Sequence, residues 1–346
     1  MSLQIFKYNH TFKLESGCVL PGYQLAYHAY GQLNERGDNV VWIFHALTAN
    51  SDPAEWWSGL VGAGKYFDPV NDFIICVNMP GSAYGSSSPV DQNPEGSEPY
   101  YHDFPWFTTR DMVRAYEPLR HFLGIKKIRV GIGGSMGGQQ LLEWAIESPN
   151  LFDAIIPIAT NAYHSPWGIA FNSSQRMAIE ADKSWKEKNK EAGREGLKVA
   201  RSIALLSYRH YEAYSIRQSE ISAENLGPYK SESYQKYQGE KLAKRFNAFS
   251  YYFLTKGMDA HNLGRGRGEV AEVLQSIQAK TLVIGIVSDL LFPISEQRFL
   301  FSKIPGAEIA EIDSLYGHDG FLLEYEKLIT VIQEFLRKNN LETNKI

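Results

Sequence analysis

Gly131-Ile132-Gly133-Gly134-Ser135-Met136-Gly137-Gly138 is a run of small residues that decides how the rest of the chain is read. An extended apolar stretch, 128–132, precedes it, and a helix-like stretch, 139–147, follows. Gly133, Ser135 and Gly137 spell G-x-S-x-G, the pattern of a nucleophile elbow. A serine hydroxyl is a weak nucleophile and must be held out on a sharp strand-to-helix turn. Such a turn strains the backbone and leaves no room for bulky neighbours. The helix that follows would aim its first N–H groups at an oxyanion formed on the serine. Taken alone, the same pattern describes a glycine-rich tight turn, so its partners must be sought elsewhere in the chain.

Outward from this stretch the pattern is one of strands alternating with helices. Continuous apolar runs at 40–44, 73–77, 127–132, 152–159 and 281–287 read as strands covered on both faces, with 308–312 as the last strand. Residues 3–14 and 23–30 alternate polar and apolar side chains and read as half-buried, antiparallel opening strands. Thr109 or Asp111 caps a helix running to His121, 294–304 forms another helix, and a final amphipathic helix carries Tyr325, Leu328, Ile329, Ile332 and Phe335 on one face. The expected fold is α/β, a mainly parallel, doubly wound sheet with helices on both faces. From 165 to 270 comparable strand runs stop. That stretch is polar and Tyr-rich, with helices near 172–182, 193–208 and 233–248, and it reads as a helical lid inserted between core segments 1–164 and 271–346. The long aperiodic stretch 81–107 reads as a functional loop, and 338–346 as a frayed tail.

Composition narrows the function classes. The chain has 346 residues, 44% hydrophobic and 21% charged, with a formal net charge of −4. This balance gives no electrostatic reason to expect nucleic acid or an anionic membrane as partner. Two cysteines, Cys18 and Cys76, form neither a disulfide framework nor a metal cluster. Residues 1–10 contain no apolar signal core, and no stretch is long and apolar enough to span a bilayer. The expectation is a reduced, soluble, cytoplasmic protein without a metal or bound organic cofactor.

Three strand ends supply chemistry: Ser135 after 127–132, Ser288-Asp289 after 281–287, and Gly317-His318-Asp319-Gly320 after 308–312. Loops at the carboxyl ends of parallel strands share one edge of the sheet, so these groups can converge. Their order, Ser then Asp then His, is that of the α/β-hydrolase fold. His318 would take the Ser135 proton, and Asp289 would fix the imidazole tautomer and stabilise its charged form. The oxyanion hole would use the N–H groups of Met136 and of Leu47, in His45-Ala46-Leu47-Thr48. Singly these residues read blandly, Asp289 as a helix cap and His318 as a solvated loop residue; together they are hard to dismiss.

With those residues in place the chain resembles the homoserine O-acetyltransferase family of α/β-hydrolase-fold acyltransferases. The resemblance runs over most of the chain. It is carried by His45-Ala46-Leu47-Thr48, Trp56-Trp57, Asp103-Phe104-Pro105, Thr109-Arg110-Asp111-Met112-Val113, 133–138 with Leu142-Glu143-Trp144-Ala145, and Ile169-Ala170-Phe171-Asn172. Further on it rests on Tyr234-Gln235-Lys236-Tyr237-Gln238-Gly239, Arg245-Phe246-Asn247, Ser288-Asp289 with Leu291-Phe292-Pro293, and Gly317-His318-Asp319. It implies a double displacement in which Ser135 takes an acyl group from acyl-CoA, a co-substrate, and passes it to an amino-acid hydroxyl. It implies that Arg201, with Tyr208, holds the acceptor's carboxylate and Asp319 its ammonium, and that the protein is a homodimer through the lid. Solvated or helix-capping roles for Arg201 and Asp319 stay open. The family's Gly-Gly-Cys before Tyr-Gly is here Gly81-Ser82-Ala83, in the long loop read as lying near the acyl pocket. A plain esterase or thioesterase on the same three residues, O-succinyl transfer, another hydroxyl acceptor and a non-catalytic association module are the alternatives.

Overall fold

The computed structural model describes residues 2–342; the last four residues of the expected frayed tail lie outside them. The opening strands are β1 (Gln4–Tyr8), β2 (Phe12–Lys13), β3 (Val19–Leu20) and β4 (Tyr23–Tyr30). Then come β5 (Val40–Phe44), α1 (Pro53–Trp56), β6 (Phe73–Val77), α2 (Thr109–Phe122), β7 (Ile128–Gly134), α3 (Met136–Glu147) and β8 (Phe152–Ile158). Five helices follow without a strand: α4 (Pro166–Glu180), α5 (Arg194–Tyr208), α6 (Tyr211–Gln218), α7 (Lys230–Ala243) and α8 (Ala248–Asp259). The alternation resumes with α9 (Val270–Leu274), β9 (Lys280–Ile286), α10 (Ile294–Lys303), β10 (Glu308–Ile312), α11 (Gly320–Leu323) and α12 (Tyr325–Lys338).

Eight strands form one sheet in the order β1-β4-β6-β5-β7-β8-β9-β10. The six from β6 to β10 pair in parallel, and β4 and β1 add antiparallel strands at one edge. Alternation splits β5 between two cores. Val40, Trp42 and Phe44 pack with Met112, Tyr116 and Trp144 of α2 and α3. Val41 and Ile43 pack with Leu328, Ile332 and Phe335 of α12 on the opposite face. Both faces are therefore covered, which is why these strands read as unbroken apolar runs.

The five helices between β8 and β9 leave and rejoin the sheet through one paired stem. His164 N–H donates to His261 O at 2.9 Å, and Leu263 N–H to Ala162 O at 3.0 Å. Beside the stem lies an ion network. Arg110, 7% exposed, pairs with Glu143 at 2.7 Å and Glu15 at 2.8 Å, and Arg267 reaches Glu143 at 2.5 Å. It joins the N-terminal segment, α2, α3 and the chain leaving the helices.

Several local expectations change. The stretch 3–14 breaks into β1, in the main sheet, and β2, which pairs with β3 in a separate ribbon. The N-cap of α2 is Thr108; Asp111 instead sits at the third helical position and completes a capping box. The helix expected over 233–248 stops at Ala243, because Asn247 caps a new helix by accepting from Ser250 N–H at 2.8 Å. Helices α6 and α8 were not anticipated.

Candidate active site

Ser135 caps α3 with φ 57° and ψ −127°, a conformation that a non-glycine residue adopts only under tight constraint. The constraint is visible on both sides. Ser135 N–H donates to Ile158 O at 2.9 Å, and Thr160 Oγ1 donates to Ser135 O at 2.8 Å. Gly137 lies so close to β5 that a Cβ there would come 2.1 Å from Phe44 O. Met136 opens the helix, so its N–H has no intrahelical acceptor.

Asp289 follows β9 and is buried. Its Oδ1 accepts from Leu291 N–H at 2.8 Å and Phe292 N–H at 2.9 Å. That leaves Oδ2, which accepts from His318 Nδ1 at 2.6 Å. With its Nδ1 proton held there, His318 offers the other nitrogen, Nε2, as a base. The imidazole lies 5.2 Å from Phe292, nearly parallel, and 5.2 Å edge-on from Phe321. Burial works against its charged form, but the Asp289 charge and hydrogen bond, with the Asp319 charge added, raise its pKa above the ordinary imidazole value. No hydrogen bond joins His318 Nε2 to Ser135 Oγ among the described residues; such contacts often tighten only when substrate is bound.

Ser135, His318 and Leu47 share a cavity of about 370 Å³ with Arg201, Tyr208 and Asp319. The Tyr208 ring lies 5.7 Å from His318, and the Arg201 guanidinium carbon lies 5.4 Å from the centre of the Tyr208 ring. All eight residues singled out from sequence thus gather at one edge of the sheet, Met136 through its adjacency to Ser135. No residue of 81–107 lines this cavity, contrary to the expectation for the long loop; Tyr84 reaches its rim only through a hydrogen bond from Arg245.

Three other residues take roles that the sequence did not assign to them. Arg209 places Nε 3.0 Å from Asp319 Oδ2. It follows Tyr208 directly, and Gly317, at φ +62°, lets the His318 turn close on this corner: a Cβ there would meet Tyr208 O at 3.0 Å. His45 accepts from Met79 N–H on Nε2 at 3.2 Å, so its Nδ1 carries the proton and donates to Ala46 O at 2.9 Å. Burial pushes its pKa down to about 4, so it stays neutral while fixing the loop that carries Leu47. Glu296 of α10 is pushed up to about 7 by burial, with the Asp289 charge adding to the shift. Only the strand-end position of His45 was a signal; the other two are set by tertiary contacts. Among the described residues, no cluster of His, Cys, Asp and Glu could hold a metal ion, and no helix is long and apolar enough to cross a membrane.

Comparison with known proteins bears on the family and the fold. Residues 39–325 match the family described as alpha/beta hydrolase fold. The homoserine O-acetyltransferase of Cyclobacterium marinum is 48% identical over 340 residues, covering 98% of this chain and 97% of that protein. Among solved structures, homoserine O-acetyltransferase from Bacillus anthracis superposes with a TM-score of 0.88 at 24% identity, covering 97% of both chains. An acetylester hydrolase from Corynebacterium glutamicum superposes with a TM-score of 0.86 at 23% identity, covering 97% of this chain and 96% of that one. At such identities the two structures speak for the fold alone.

Proposed function

The chain belongs to the homoserine O-acetyltransferase family of the alpha/beta hydrolase fold, and from that premise we propose how its residues carry the reaction. The enzyme transfers acetyl from acetyl-CoA to the hydroxyl of L-homoserine, a step in methionine biosynthesis. Ser135 Oγ attacks the thioester carbonyl while His318 Nε2 takes its proton. The N–H groups of Met136 and Leu47 receive the oxyanion. Collapse expels CoA as a thiolate, which His318 protonates, and acetyl-Ser135 remains. The homoserine hydroxyl then attacks this ester, His318 accepts its proton and returns it to Ser135, and O-acetylhomoserine leaves. Asp289 holds the imidazole in one tautomer throughout. Arg201, with Tyr208 beside it, binds the acceptor's carboxylate and Asp319 its ammonium, each a match of charge and shape.

The observation that carries this reading is the His318–Asp289 bond at 2.6 Å, in a cavity whose wall also contains Ser135, Arg201 and Asp319. Residues 165–270 serve as a lid whose exclusion of water favours transfer over hydrolysis. The protein works in the cytoplasm as a homodimer through this lid, whose exposed Leu206, Tyr211, Ile216 and Tyr237 supply an apolar face; light scattering at two concentrations tests the dimer. The central test follows CoA release with acetyl-CoA, with and without homoserine. Release should require homoserine and vanish in Ser135→Ala. Release indifferent to the acceptor would turn the reading to a thioesterase.

A further inference from the structure

The mouth of the Ser135 cavity holds two cations that the acceptor does not need. Lys241, in the last turn of α7, and Arg245, four residues on, both border the cavity. Several cations on these helices pair with carboxylates, Lys198 with Glu195 and Glu240, Lys236 with Glu232 and Arg176 with Asp259, while Lys256 and Arg217 lie against aromatic rings. Lys241 is exposed and makes no ion pair among the described residues. Arg245 Nη1 donates to Thr48 O at 2.5 Å and to the Tyr84 hydroxyl, which ties the rim to the loop carrying Leu47 and leaves Nε and Nη2 unspent. Of the carboxylates bordering the same cavity, Asp319 faces Arg209 at 3.0 Å, and Glu55 accepts from the uncharged Asn50 at 2.9 Å. The wall holds three cations, Arg201, Lys241 and Arg245, against these two carboxylates, beside a cavity of about 370 Å³.

We propose that Lys241 and Arg245 form the docking point for the phosphates of the CoA moiety. The inference rests on the acyl-CoA reading above and adds where the donor's charged end lies. The thioester must reach Ser135, and the pantetheine arm separates it from the phosphates, which therefore come to rest at the cavity mouth. A lysine supplies a point charge and an arginine a planar fork, and both suit phosphate oxygens.

The test is calorimetric titration of the protein with CoA, which carries no acyl group and cannot turn over, and with pantetheine, which carries no phosphate. Wild type should bind CoA more tightly than pantetheine. Lys241→Ala should shrink that preference about tenfold, the size expected of one charge-assisted contact, and Lys241→Glu should shrink it further. Lys241→Arg should restore it, and Arg245→Gln should act in the same direction as Lys241→Ala. An unchanged CoA-to-pantetheine ratio in Lys241→Ala and Lys241→Glu, with folding verified by circular dichroism, overturns the proposal, as does a wild type without preference for CoA. Because the readout is binding, a protein that keeps the Lys241-dependent preference but fails to acetylate homoserine would sink the transfer reading and spare the subsite.

Discussion

The sheet edge and the helices that cover it hold their side chains in different ways. At the edge, the residues of the site are fixed by hydrogen bonds on more than one side: Ser135 by Ile158 and Thr160, Asp289 by Leu291 and Phe292, His45 by Ala46 and Met79. In the covering segment, Arg201 reaches the cavity from a half-buried helix face and leans on a tyrosine ring, while Ile221 and Leu226, in the loop between α6 and α7, stand more than nine-tenths exposed. The edge is built for fixed geometry. The cover supplies charge and shape, and its outer surface contributes little to the stability of the fold.

The contrast can be broken at four points, in falling order of effect. Arg110→Ala should cost about 3 kcal/mol, because it takes one of two cationic partners from the buried Glu143 carboxylate and leaves only Arg267; a urea titration in which the midpoint scarcely moves would show that the network beneath the edge is dispensable. Gly137→Ala should lower kcat about a hundredfold, since its Cβ drives against Phe44 O and displaces the elbow, and steady-state kinetics on a folded variant reads it directly.

The third concerns pH. Neutral His318 is the base, and its pKa lies above the ordinary value of about 6.5. The acid limb of kcat/KM should therefore fall as pH drops through that raised value, with its midpoint above ~6.5. Asp319→Asn, which removes the lesser of the two carboxylate charges that raise the His318 pKa, should move the midpoint down, read on the acylation burst. Stability runs the other way: the contribution of protonated His318 is full below about 6.5 and is lost as pH rises through the folded value. The smallest effect is expected on the cover, where Ile221→Ser should change monomer stability by less than about 0.5 kcal/mol. A larger loss would mean that this residue is buried in an assembly.

The same division explains what could be read from the chain. Strands β5 to β9 and the positions of Ser135, Asp289 and His318 declare themselves through local demands: apolar runs, small residues beside Ser135, and a carboxylate or imidazole just past a strand. Leu47 and Met136 follow from the usual oxyanion hole of the fold, and Arg201, Tyr208 and Asp319 only from the family resemblance. Helix α8 gave no such signal, because it is buried almost all round and lacks the polar stripe that a periodicity argument needs. Thr108 was passed over as a cap because Thr109 and Asp111 compete for the role in sequence, and only the hydrogen bonds decide between them. Arg209 lies far in sequence from Asp319, and Glu296, a little beyond Asp289 in α10, owes its shift mainly to tertiary burial, so nothing in their own neighbourhoods marked them.

The paired stem at Ala162–His164 and His261–Leu263 has a bearing on engineering. A segment that departs and returns through adjacent backbone partners behaves as a cassette, since splicing in another requires its two ends to meet at a single point. Chimeras that exchange everything between these junctions would keep the reactive serine on its native scaffold while presenting it with foreign acceptors. Selectivity could then be redesigned one insert at a time.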